Sequence, residues 1–494
     1  MKAWPVVLFA ACILAAPARA ESGRDIVMQG TKTGAPACSS CHGETGAGQA
    51  GAGIPRLAGQ NAAYLVRQLA NFADGTRKSD IMGPIAAALS EADRKAAAAY
   101  YAKLPPPKPA AAKNLQTIAN GAALALQGNW ATGVPGCSDC HGANGEGIGG
   151  HFPRLAGQNT DYIEAQLKAW KAGARRGDPM ALMTGIATKL TADEIAAAAA
   201  YYSAMPDVPA SLPAPAPAKV SAQTGAFVPP PDSAIPNDEF GKMVRLGENI
   251  FRDTQHYASN YVGNSLQCDN CHLDGGRMAN SAPLWAAFVS YPAWRSKNKH
   301  VNTYAERLQG CFRYSMNGKV PPLGSKTLVA LEAYSYFLAK GAPVGTEMKG
   351  RGYGKIAKPA KPMNYGRGEK IYTQNCALCH GANGEGQRSA SGAPAFPPLW
   401  GAKSFNWGAG MGNIENAAAF IKANMPFSQG GTLSDQDAWD VAMFVDSHER
   451  PQDPRFTGSI AETRRKFHNG ETWTYGKTVN GVLLGAHSPP SGRR

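Results

Sequence analysis

The sequence predicts an all-α protein made of four small helical units, arranged in two pairs on either side of a linker. Three observations support this fold class. The pattern C-x-x-C-H occurs four times at domain-sized intervals along the 494 residues. The first half repeats itself with a period of about 99 residues, and each copy carries helical hydrophobic patterns. A Pro/Ala-rich stretch from about Pro206 to Pro236 separates the halves and is typical of an extended, semi-rigid tether.

The four pentapeptides indicate covalently attached haem. Each places two thiols three positions apart on one helical turn, where both can bond a haem vinyl group, and the adjacent histidine can be the proximal iron ligand. A zinc knuckle or a redox disulfide would explain one C-x-x-C, but not four copies that are each followed by histidine. The sequence therefore predicts four haem c groups, bound by Cys38, Cys41 and His42, by Cys137, Cys140 and His141, by Cys268, Cys271 and His272, and by Cys376, Cys379 and His380.

Helices frame each of these motifs. The first two units share the turn Pro-Arg-Leu-Ala-Gly-Gln after the motif, and each closes with a helix that opens on a capping-box pattern. In the second half, closing helices are expected near 325–340 and 434–447, and the tail after Arg450 is expected to wrap the surface or be partly mobile. The predicted organisation is a signal segment at 1–20, class I cytochrome c units at 21–108, 109–205, 237–345 and 346–494, and a linker at 206–236.

Residues 1–20 predict export to the periplasm. Lys2 gives a positive start, an apolar run follows, and Ala18-Arg19-Ala20 fits a small-residue cleavage site. The run is too short to span a membrane, and no later segment is apolar enough, so we expect a protein that is not membrane-spanning. A lipoprotein cut before Cys12 is the weaker alternative. Export argues against a nucleic-acid partner. The formal net charge of +14 does not favour one either, because haem propionates would offset much of that charge.

A second axial ligand is expected opposite each proximal histidine unless the iron is left open for chemistry. Met82 lies 40 residues after His42, and Met183 lies 42 residues after His141. Their equivalent places in the repeat favour both over Met180, a near neighbour, and over the commoner role of methionine as a filler of the core. His/Met haems have relatively high potentials and suit electron transfer.

The fourth and third motifs need separate treatment. Met425 lies 45 residues after His380 and fits the spacing better than Met411, which lies 31 residues after it in a Gly-rich loop. No methionine stands at this distance after the third motif, but Cys311 lies 39 residues after His272.

Cys311 is also left over when the ten cysteines are counted. Cys12 lies in the signal segment and eight cysteines belong to the motifs, so Cys311 has no partner for an internal disulfide. Its spacing and this lack of a partner favour a sixth ligand over a buried, inert thiol. Thiolate favours ferric iron and lowers the potential, so the third haem is predicted to be a place where chemistry happens.

Basic residues crowd around Cys311 in the sequence. Any one of them can be a solvated surface charge. As a group they indicate a pocket for anions, because guanidinium groups bind oxyanions in a bidentate manner. The group consists of Arg295, Lys297, Lys299, Arg307, Arg313 and Lys319.

Two resemblances to known families cover most of the chain. Residues 21 to about 205 resemble the two-haem cytochromes of the c-four type, through both Pro-Arg-Leu-Ala-Gly-Gln turns and the pattern Met-x-x-Ile-Ala. Residues from about 237 to 450 resemble the two-haem thiosulfate dehydrogenases. The segments that carry this second resemblance are Tyr261-Val-Gly-Asn264, 268–277, Ala282-Pro-Leu-Trp285, Tyr291-Pro-Ala-Trp-Arg295 and 310–318, the last of which surrounds the cysteine that ligates the catalytic haem in that family.

The resemblance implies a dehydrogenase fused to its electron-accepting cytochrome, which oxidises two thiosulfates to tetrathionate. A further hypothesis is that the Cys311 sulfur leaves the iron and bonds one thiosulfate before the second attacks. Electrons would pass from the third haem to the fourth, then to the first two and to downstream periplasmic acceptors. By position, the residues that match those around the substrate in the family are Arg295, Arg307, Ser315 and Lys319, with Asn302 and Gln309 as weaker candidates.

Several alternatives stay open at this point. Some relatives also reduce tetrathionate, so the direction of the reaction is open. A four-haem electron conduit without its own substrate would have no use for Cys311, and transfer of thiosulfate to a sulfur-carrier protein would need a partner. Some family members carry lysine before the fourth-haem methionine, whereas this chain has Asn424, so a ligand exchange with that lysine is not available.

Overall fold

The computed structural model describes residues 22–106, 108, 109, 111, 113–209, 212, 213, 215 and 225–492. The predicted signal segment, with Cys12, and part of the predicted linker lie outside these residues. Helices dominate the architecture, as predicted, and three two-stranded antiparallel ribbons are the departure from an all-α fold.

The first two motifs are surrounded by helices in the same order. Around the first lie α1 Gly23–Gln29, α2 Ser39–His42, α3 Ala62–Ala73, α4 Met82–Ala87 and α5 Glu91–Lys103; around the second lie α6 Leu115–Gln127, α7 Ser138–His141, α8 Thr160–Lys171, the 3-10 turn Pro179–Ala181, α9 Leu182–Lys189 and α10 Ala192–Ala204. Both predicted capping boxes are present, one between Ser90 and Asp93 at the start of α5 and the other between Thr191 and Glu194 at the start of α10.

The third motif lies in a more irregular set of elements. These are the 3-10 turn Asp232–Ala234, α11 Glu239–Arg252, α12 Thr254–Tyr257, the 3-10 turns Ser259–Tyr261 and Cys268–Asn270, α13 Leu273–Gly276, α14 Leu284–Phe288, β1 Ala293–Arg295, β2 His300–Asn302, α15 Tyr304–Gly310, the π-helical turn Cys311–Ser315 and α16 Lys326–Leu338. Strands β1 and β2 pair in antiparallel register, with Arg295 opposite His300.

The fourth motif and the tail complete the chain. Their elements are α17 Tyr365–Asn375, α18 Ala377–His380, β3 Gln387–Arg388, β4 Pro394–Phe396, the 3-10 turn Gly410–Gly412, α19 Ile414–Asn424, α20 Asp435–Val445, α21 Ile460–Phe467, β5 Thr478–Val479 and β6 Val482–Leu483. Ser325 and Ser434 cap the closing helices α16 and α20, close to the predicted starts.

Glycine lets the entry helix and the closing helix around each motif cross with their backbones in contact. A Cβ atom added to any of four glycines would overlap a carbonyl oxygen of the closing helix. The same closing helix then places an aromatic side chain four residues further on, against the same glycine. The pairs of glycine and carbonyl residue are Gly23 and Ala96, Gly121 and Ala197, Gly247 and Ala330, and Gly368 and Asp440.

Two buried arginines join the first and second units. Arg77 and Arg175 form an antiparallel bridge and are each about 5% exposed (6% and 5%). Each guanidinium donates to a tyrosine hydroxyl and a glutamine side chain of the other unit. The acceptors are Tyr162 and Gln166 for Arg77, and Tyr64 and Gln68 for Arg175.

The second unit also packs on the fourth. The rings of Phe152 and Phe396 lie 5.1 Å apart in one apolar cluster, which the side chains of Cys140 and Cys379 also contact. The Ser391 hydroxyl donates to the Glu146 carboxylate at 2.9 Å, and the Gln429 side chain donates to the Met180 carbonyl at 2.9 Å. This contact brings the attachment motifs of two different halves of the chain together.

The start of the second half packs against the third unit, and the tail packs against the fourth. Phe227 lies 5.5 Å from Trp285, and Asp232 pairs with Arg277, so the end of the predicted tether is packed where the structure describes it. The tail wraps the surface, which is the first of the two alternatives that the sequence predicted. It buries Tyr475 and Leu484 against Trp407. Within the described ranges, no helix is both long and apolar enough to cross a membrane.

The close contact between α17 and α20 predicts different effects for two glycine substitutions in α17. Gly368→Ala should lower the free energy of unfolding by about 1–3 kcal/mol, because the new methyl group meets a backbone carbonyl that cannot move aside cheaply. Gly366→Ala, two residues earlier on the exposed side, should be neutral or stabilising, since alanine is the better helix former. Thermal unfolding of the two holoproteins measures this difference; equal melting temperatures would contradict it.

Candidate haem sites and active site

A backbone carbonyl orients each of the four motif histidines. The Nδ1 atoms of His42, His141, His272 and His380 lie 3.2, 2.8, 2.7 and 2.9 Å from the carbonyl oxygens of Pro55, Pro153, Ala282 and Pro397. A carbonyl only accepts, so Nδ1 carries the proton and Nε2 is the nitrogen left for a metal. Burial lowers the pKa of all four rings, that of His272 to about 4, which keeps them neutral as ligands require.

The motif thiols and the methionine candidates line one continuous cavity. It contacts the thiols, histidine and predicted methionine of the first, second and fourth sites: Cys38, Cys41, His42 and Met82; Cys137, Cys140, His141 and Met183; and Cys376, Cys379, His380 and Met425. Paired thiols, an oriented imidazole and a thioether at an apolar wall are the donor set of a His/Met haem c, so the residues present fit that group.

Met411 lines the same cavity and has a second role. Its side chain packs against two hydrophobic clusters, one with Ile414 and Trp439 and one with Phe405. Met425 follows the last residue of α19 and packs in none of the clusters found among the described residues. Met411 thus has packing partners in two clusters, and Met425, which fits the spacing better, stays the predicted ligand.

The third motif is held differently from the other three. After the first, second and fourth motifs a glycine with positive φ ends the short helix: Gly43, Gly142 and Gly381. After the third, α13 follows the motif histidine directly, and Asp274 and Gly275 inside it adopt left-handed conformations. The peptide carbonyl that orients His272 belongs to Ala282, which also has a positive φ of 51°.

Cys311 lies directly beside a half-buried cation. Its Sγ accepts a hydrogen bond from Arg307 Nη1 at 3.0 Å, because the two residues stand one turn apart across the junction of α15 and the π-helical turn. Cys311 raises the pKa of Arg307 above its usual range, in opposition to burial. A guanidinium donor on sulfur is a charge-assisted bond, and it leaves other guanidinium N–H groups for a further anion.

The other basic residues divide into two sets. Lys297 is half-buried: its Nζ donates to the Gly408 carbonyl at 2.5 Å and lies 4.4 Å from the centre of the Tyr314 ring. Burial, together with the guanidinium groups of Arg455 and Arg307, lowers the pKa of Lys297 to about 7. Arg295 is half-buried at the end of β1, whereas three of the predicted residues are exposed, namely Lys299, Arg313 and Lys319.

The remaining sequence candidates have structural bonds. Ser315 ends the π-helical turn that begins at Cys311. Asn302 is buried with its Nδ2 atom 2.6 Å from His300 Nε2, and Gln309 donates to the Pro321 carbonyl at 2.8 Å. These bonds explain Asn302 and Gln309 without substrate. Asn424 is also buried, and its side chain donates to the Asn280 carbonyl at 3.1 Å.

Sequence reasoning missed several residues of this site. Tyr353, from the segment between α16 and α17, is half-buried; burial and the Cys271 thiol raise its pKa, and the Arg307 guanidinium opposes them. Arg455 comes from the tail, lies 5.2 Å from the Tyr314 ring and pairs with Asp453 at 2.6 Å. These residues are distant from Cys311 along the chain and carry no motif, so no local signal pointed to them.

Two of the segments that carried the family resemblance pack on each other. The Gly263 amide donates to the Met316 carbonyl at 2.9 Å, and a Cβ atom on Gly263 would overlap the Asn317 carbonyl. A Cβ atom on Gly318 would likewise overlap the Tyr261 carbonyl. The glycines of both segments are therefore needed for backbone-to-backbone contact beneath the Cys311 turn.

Comparisons with known proteins agree with this geometry. Residues 24–100 and 364–445 match the family model described as cytochrome C oxidase, cbb3-type, subunit III, and residues 118–205 match the model described as cytochrome c. A thiosulfate dehydrogenase from Thiomonas intermedia (strain K12) is 62% identical over 271 residues, which cover 55% of this chain and 86% of that protein.

Two further relatives match this chain. One covers its first half, and the other covers nearly all of it. A thiosulfate dehydrogenase electron acceptor from Stutzerimonas stutzeri (strain A1501) is 44% identical over 202 residues, which cover 40% of this chain and 94% of that protein. The solved structure of thiosulfate dehydrogenase (TsdBA) from Marichromatium purpuratum has a TM-score of 0.87 at 45% identity, and the match covers 94% of this chain and 99% of that one.

Cytochrome c folds and haem donor sets define a c-type cytochrome with covalently bound haem c. Within that class, the chain belongs to the thiosulfate dehydrogenase family, as a dehydrogenase fused to a cytochrome c4-like part. Both resemblances predicted from the sequence are confirmed, and the chain is an enzyme.

The two methionines of the fourth site generate a second prediction. Met425→Leu should remove the axial thioether, so the His/Met signal of one haem should disappear in electron paramagnetic resonance and its potential should fall. Met411→Leu should leave all His/Met signals in place and cost less than about 1.5 kcal/mol of stability, as a volume-conserving core change does. The opposite pattern would assign the ligand to Met411.

Proposed function

We propose that the third site oxidises two thiosulfate dianions to tetrathionate, with Cys311 as the sixth ligand of its haem and as a catalytic residue. The observation that carries this proposal is the 3.0 Å hydrogen bond from half-buried Arg307 to the Cys311 sulfur. Arg295, Ser315 and Lys319 are proposed to contact the substrate as in the family, and Lys297 is proposed to add a further cation. The relative from Thiomonas intermedia is itself a thiosulfate dehydrogenase.

Charge is the main obstacle that these residues overcome. Two dianions brought within about 5 Å repel each other by on the order of 10 kcal/mol at an effective dielectric constant near 20. Arg307 and Lys297 supply cations inside the site, and the exposed Lys299 and Lys319 raise the local concentration of anions around it. A site without these charges would hold one thiosulfate but not the pair.

The chemistry balances around the Cys311 sulfur. In the proposed first step the thiolate bonds the outer sulfur of one thiosulfate, and the pair gives up two electrons. In the second, another thiosulfate attacks the bound outer sulfur, which forms tetrathionate and releases the Cys311 thiolate to Arg307. Bound haem c supplies one-electron acceptors for this oxidation. The reverse sequence would reduce tetrathionate, so the same residues serve either direction.

Four haem sites in four helical units are part of the proposal, at 21–108, 109–205, 237–345 and 346–494, with the linker at 206–236. It is supported by the four histidine–carbonyl contacts and the four glycine crossings. The Phe152–Phe396 contact makes the second unit the entry point for electrons from the fourth, and the first unit the exit. The exit site is then proposed to serve downstream acceptors in the periplasm.

Turnover of the purified holoprotein tests this function. With thiosulfate and ferricyanide alone, tetrathionate should form, and Cys311→Ala should reduce its rate by about 10³-fold or more, as loss of a nucleophile does. The wild type should also show a low-spin His/thiolate signal in electron paramagnetic resonance.

Matched arginine variants serve as controls. Arg307→Ala should lose most activity, whereas Arg313→Ala, with an exposed side chain, should keep activity within about twofold. Full activity of Cys311→Ala would contradict the proposal. Lack of a thiolate signal would favour a plain electron conduit, and a need for a second protein would favour transfer to a sulfur carrier.

Lys297 gives the reaction a pH dependence. Its pKa of about 7 means that the ammonium is present below pH 7 and is lost as the pH rises through that value. The KM for thiosulfate should therefore rise by up to about tenfold between pH 6 and pH 8.5, the equivalent of about 1.4 kcal/mol. Lys297→Arg keeps its charge and should abolish this rise. An unchanged KM profile in that variant would show that another group titrates.

A further inference from the structure

The turn that carries Cys311 has backbone carbonyls that its own helix does not satisfy. Residues Cys311–Ser315 form a π-helical turn, closed by the Met316 amide bonding to the Cys311 carbonyl at 3.0 Å. A wide turn of this kind is rare and leaves the ordinary i to i+4 pattern incomplete. Four successive carbonyls, from Arg313 to Met316, accept hydrogen bonds from residues elsewhere in the chain.

Two of these donors come from the third unit and two from the fourth. The Asn264 side chain donates to the Ser315 carbonyl at 2.7 Å, and the Gly263 amide donates to that of Met316. The carbonyls of Arg313 and Tyr314 both depend on Asn406, which follows the fourth motif in the chain. The active-site turn is therefore completed by a residue from the neighbouring unit.

Asn406 directs its side-chain amide group and its backbone N–H toward this turn and toward Asn317 just after it. Its Nδ2 donates to the Arg313 carbonyl at 2.9 Å and to Asn317 Oδ1 at 3.0 Å, and its backbone amide donates to the Tyr314 carbonyl at 3.2 Å. Its Oδ1 accepts from the Gly408 amide at 3.0 Å. The side chain is fully buried, so an unmade bond here has no water to replace it.

Asn317 is the second half of the same clamp. It is buried and has a positive φ of 46°, a conformation that asparagine tolerates better than most residues. Its Oδ1 accepts from Asn406 and also from the Gly492 amide of the tail at 3.0 Å. The Asn317 Oδ1 atom thus joins the turn both to Asn406 and to the tail.

The segment that presents Asn406 is itself anchored. The Trp407 amide donates to the Pro451 carbonyl at 3.0 Å and its indole donates to Ser488 at 2.8 Å. A Cβ atom on Gly408 would collide with the Tyr314 ring, so the segment lies flat on the turn. Asn406 therefore stands on a rigid support, as a residue that positions another must.

We propose that Asn406 is a positioning residue for the active site: it holds the Cys311–Ser315 turn so that the Cys311 sulfur faces the third haem and Arg307 together. The inference rests on the proposed function, because it takes Cys311 as the axial and catalytic sulfur. It adds that the fourth unit is a structural part of the active site as well as a neighbour of it.

Variants of two asparagines in the fourth unit test this role in the full holoprotein. Asn406→Ala removes both side-chain donor bonds, and Asn406→Asp keeps the shape and the acceptor but loses the donor. Asn416→Ala is the matched control, since Asn416 donates to the Gly410 carbonyl at 2.9 Å within its own unit and does not bond to the turn.

Three measurements follow each variant: the share of the third haem with the low-spin His/thiolate signal, hydrogen exchange of the amides of residues 312–318, and kcat with KM. Both Asn406 variants should lose more than about half of the thiolate signal and fall about tenfold or more in kcat, because a misplacement near 1 Å is costly in an active site. Exchange at 312–318 should rise about tenfold or more as the turn opens. The other haem signals and the Asn416→Ala variant should stay at wild-type values.

The outcomes separate this inference from the proposed function. If the wild type shows no thiolate signal, or Cys311→Ala keeps full activity, the proposed function fails first. If the wild type behaves as expected but Asn406→Asp keeps the signal, the exchange rates and kcat, the positioning role is wrong. A loss of thermal stability alone, shared equally with Asn416→Ala, would also overturn it, since that is the result for a purely structural residue.

Discussion

The backbone contact between the entry helix and the closing helix is the constraint on which the rest of the structure depends. Around each motif a glycine lets the two helices approach until a carbonyl fills the place of a side chain. That approach holds together the two helices that frame each motif. The same frame surrounds the three motifs with a predicted methionine ligand and the third motif, for which Cys311 is predicted, so the frame and the predicted chemistry vary independently.

The third unit shows how a common frame becomes a catalytic one. A π-helical turn replaces a regular segment and brings Cys311 within reach of Arg307. Burying a guanidinium is costly unless its donors are used, and here the sulfur takes one of them. The remaining N–H donors of Arg307 and the ammonium of Lys297 attract a dianionic substrate. The elements that hold this arrangement come from the third unit, the fourth unit and the tail.

The docking of the two halves brings side chains of two C-x-x-C-H motifs, rather than charged groups, into one apolar contact. Phe152 and Phe396 meet beside Cys140 and Cys379, and polar bonds such as Ser391 to Glu146 surround this apolar contact. An apolar centre with a polar rim is the usual anatomy of a protein interface. Because a covalent chain joins the halves, the contact works at a high effective concentration and need not be strong by itself.

The sequence by itself determined the cytochrome c class and the thiosulfate dehydrogenase family, and it predicted the units and their ligands, since motif, repeat and spacing are local properties of the chain. The capping boxes at Ser90 and Thr191 and the closing helices lie close to where the pattern placed them. It also singled out Cys311 by counting and spacing. It could not find Asn406, Tyr353 or Arg455, which are 95, 42 and 144 residues from Cys311 along the chain. Their contributions depend on packing between units, and long-range packing leaves no periodic trace in the amino-acid order; only the tertiary structure decided them.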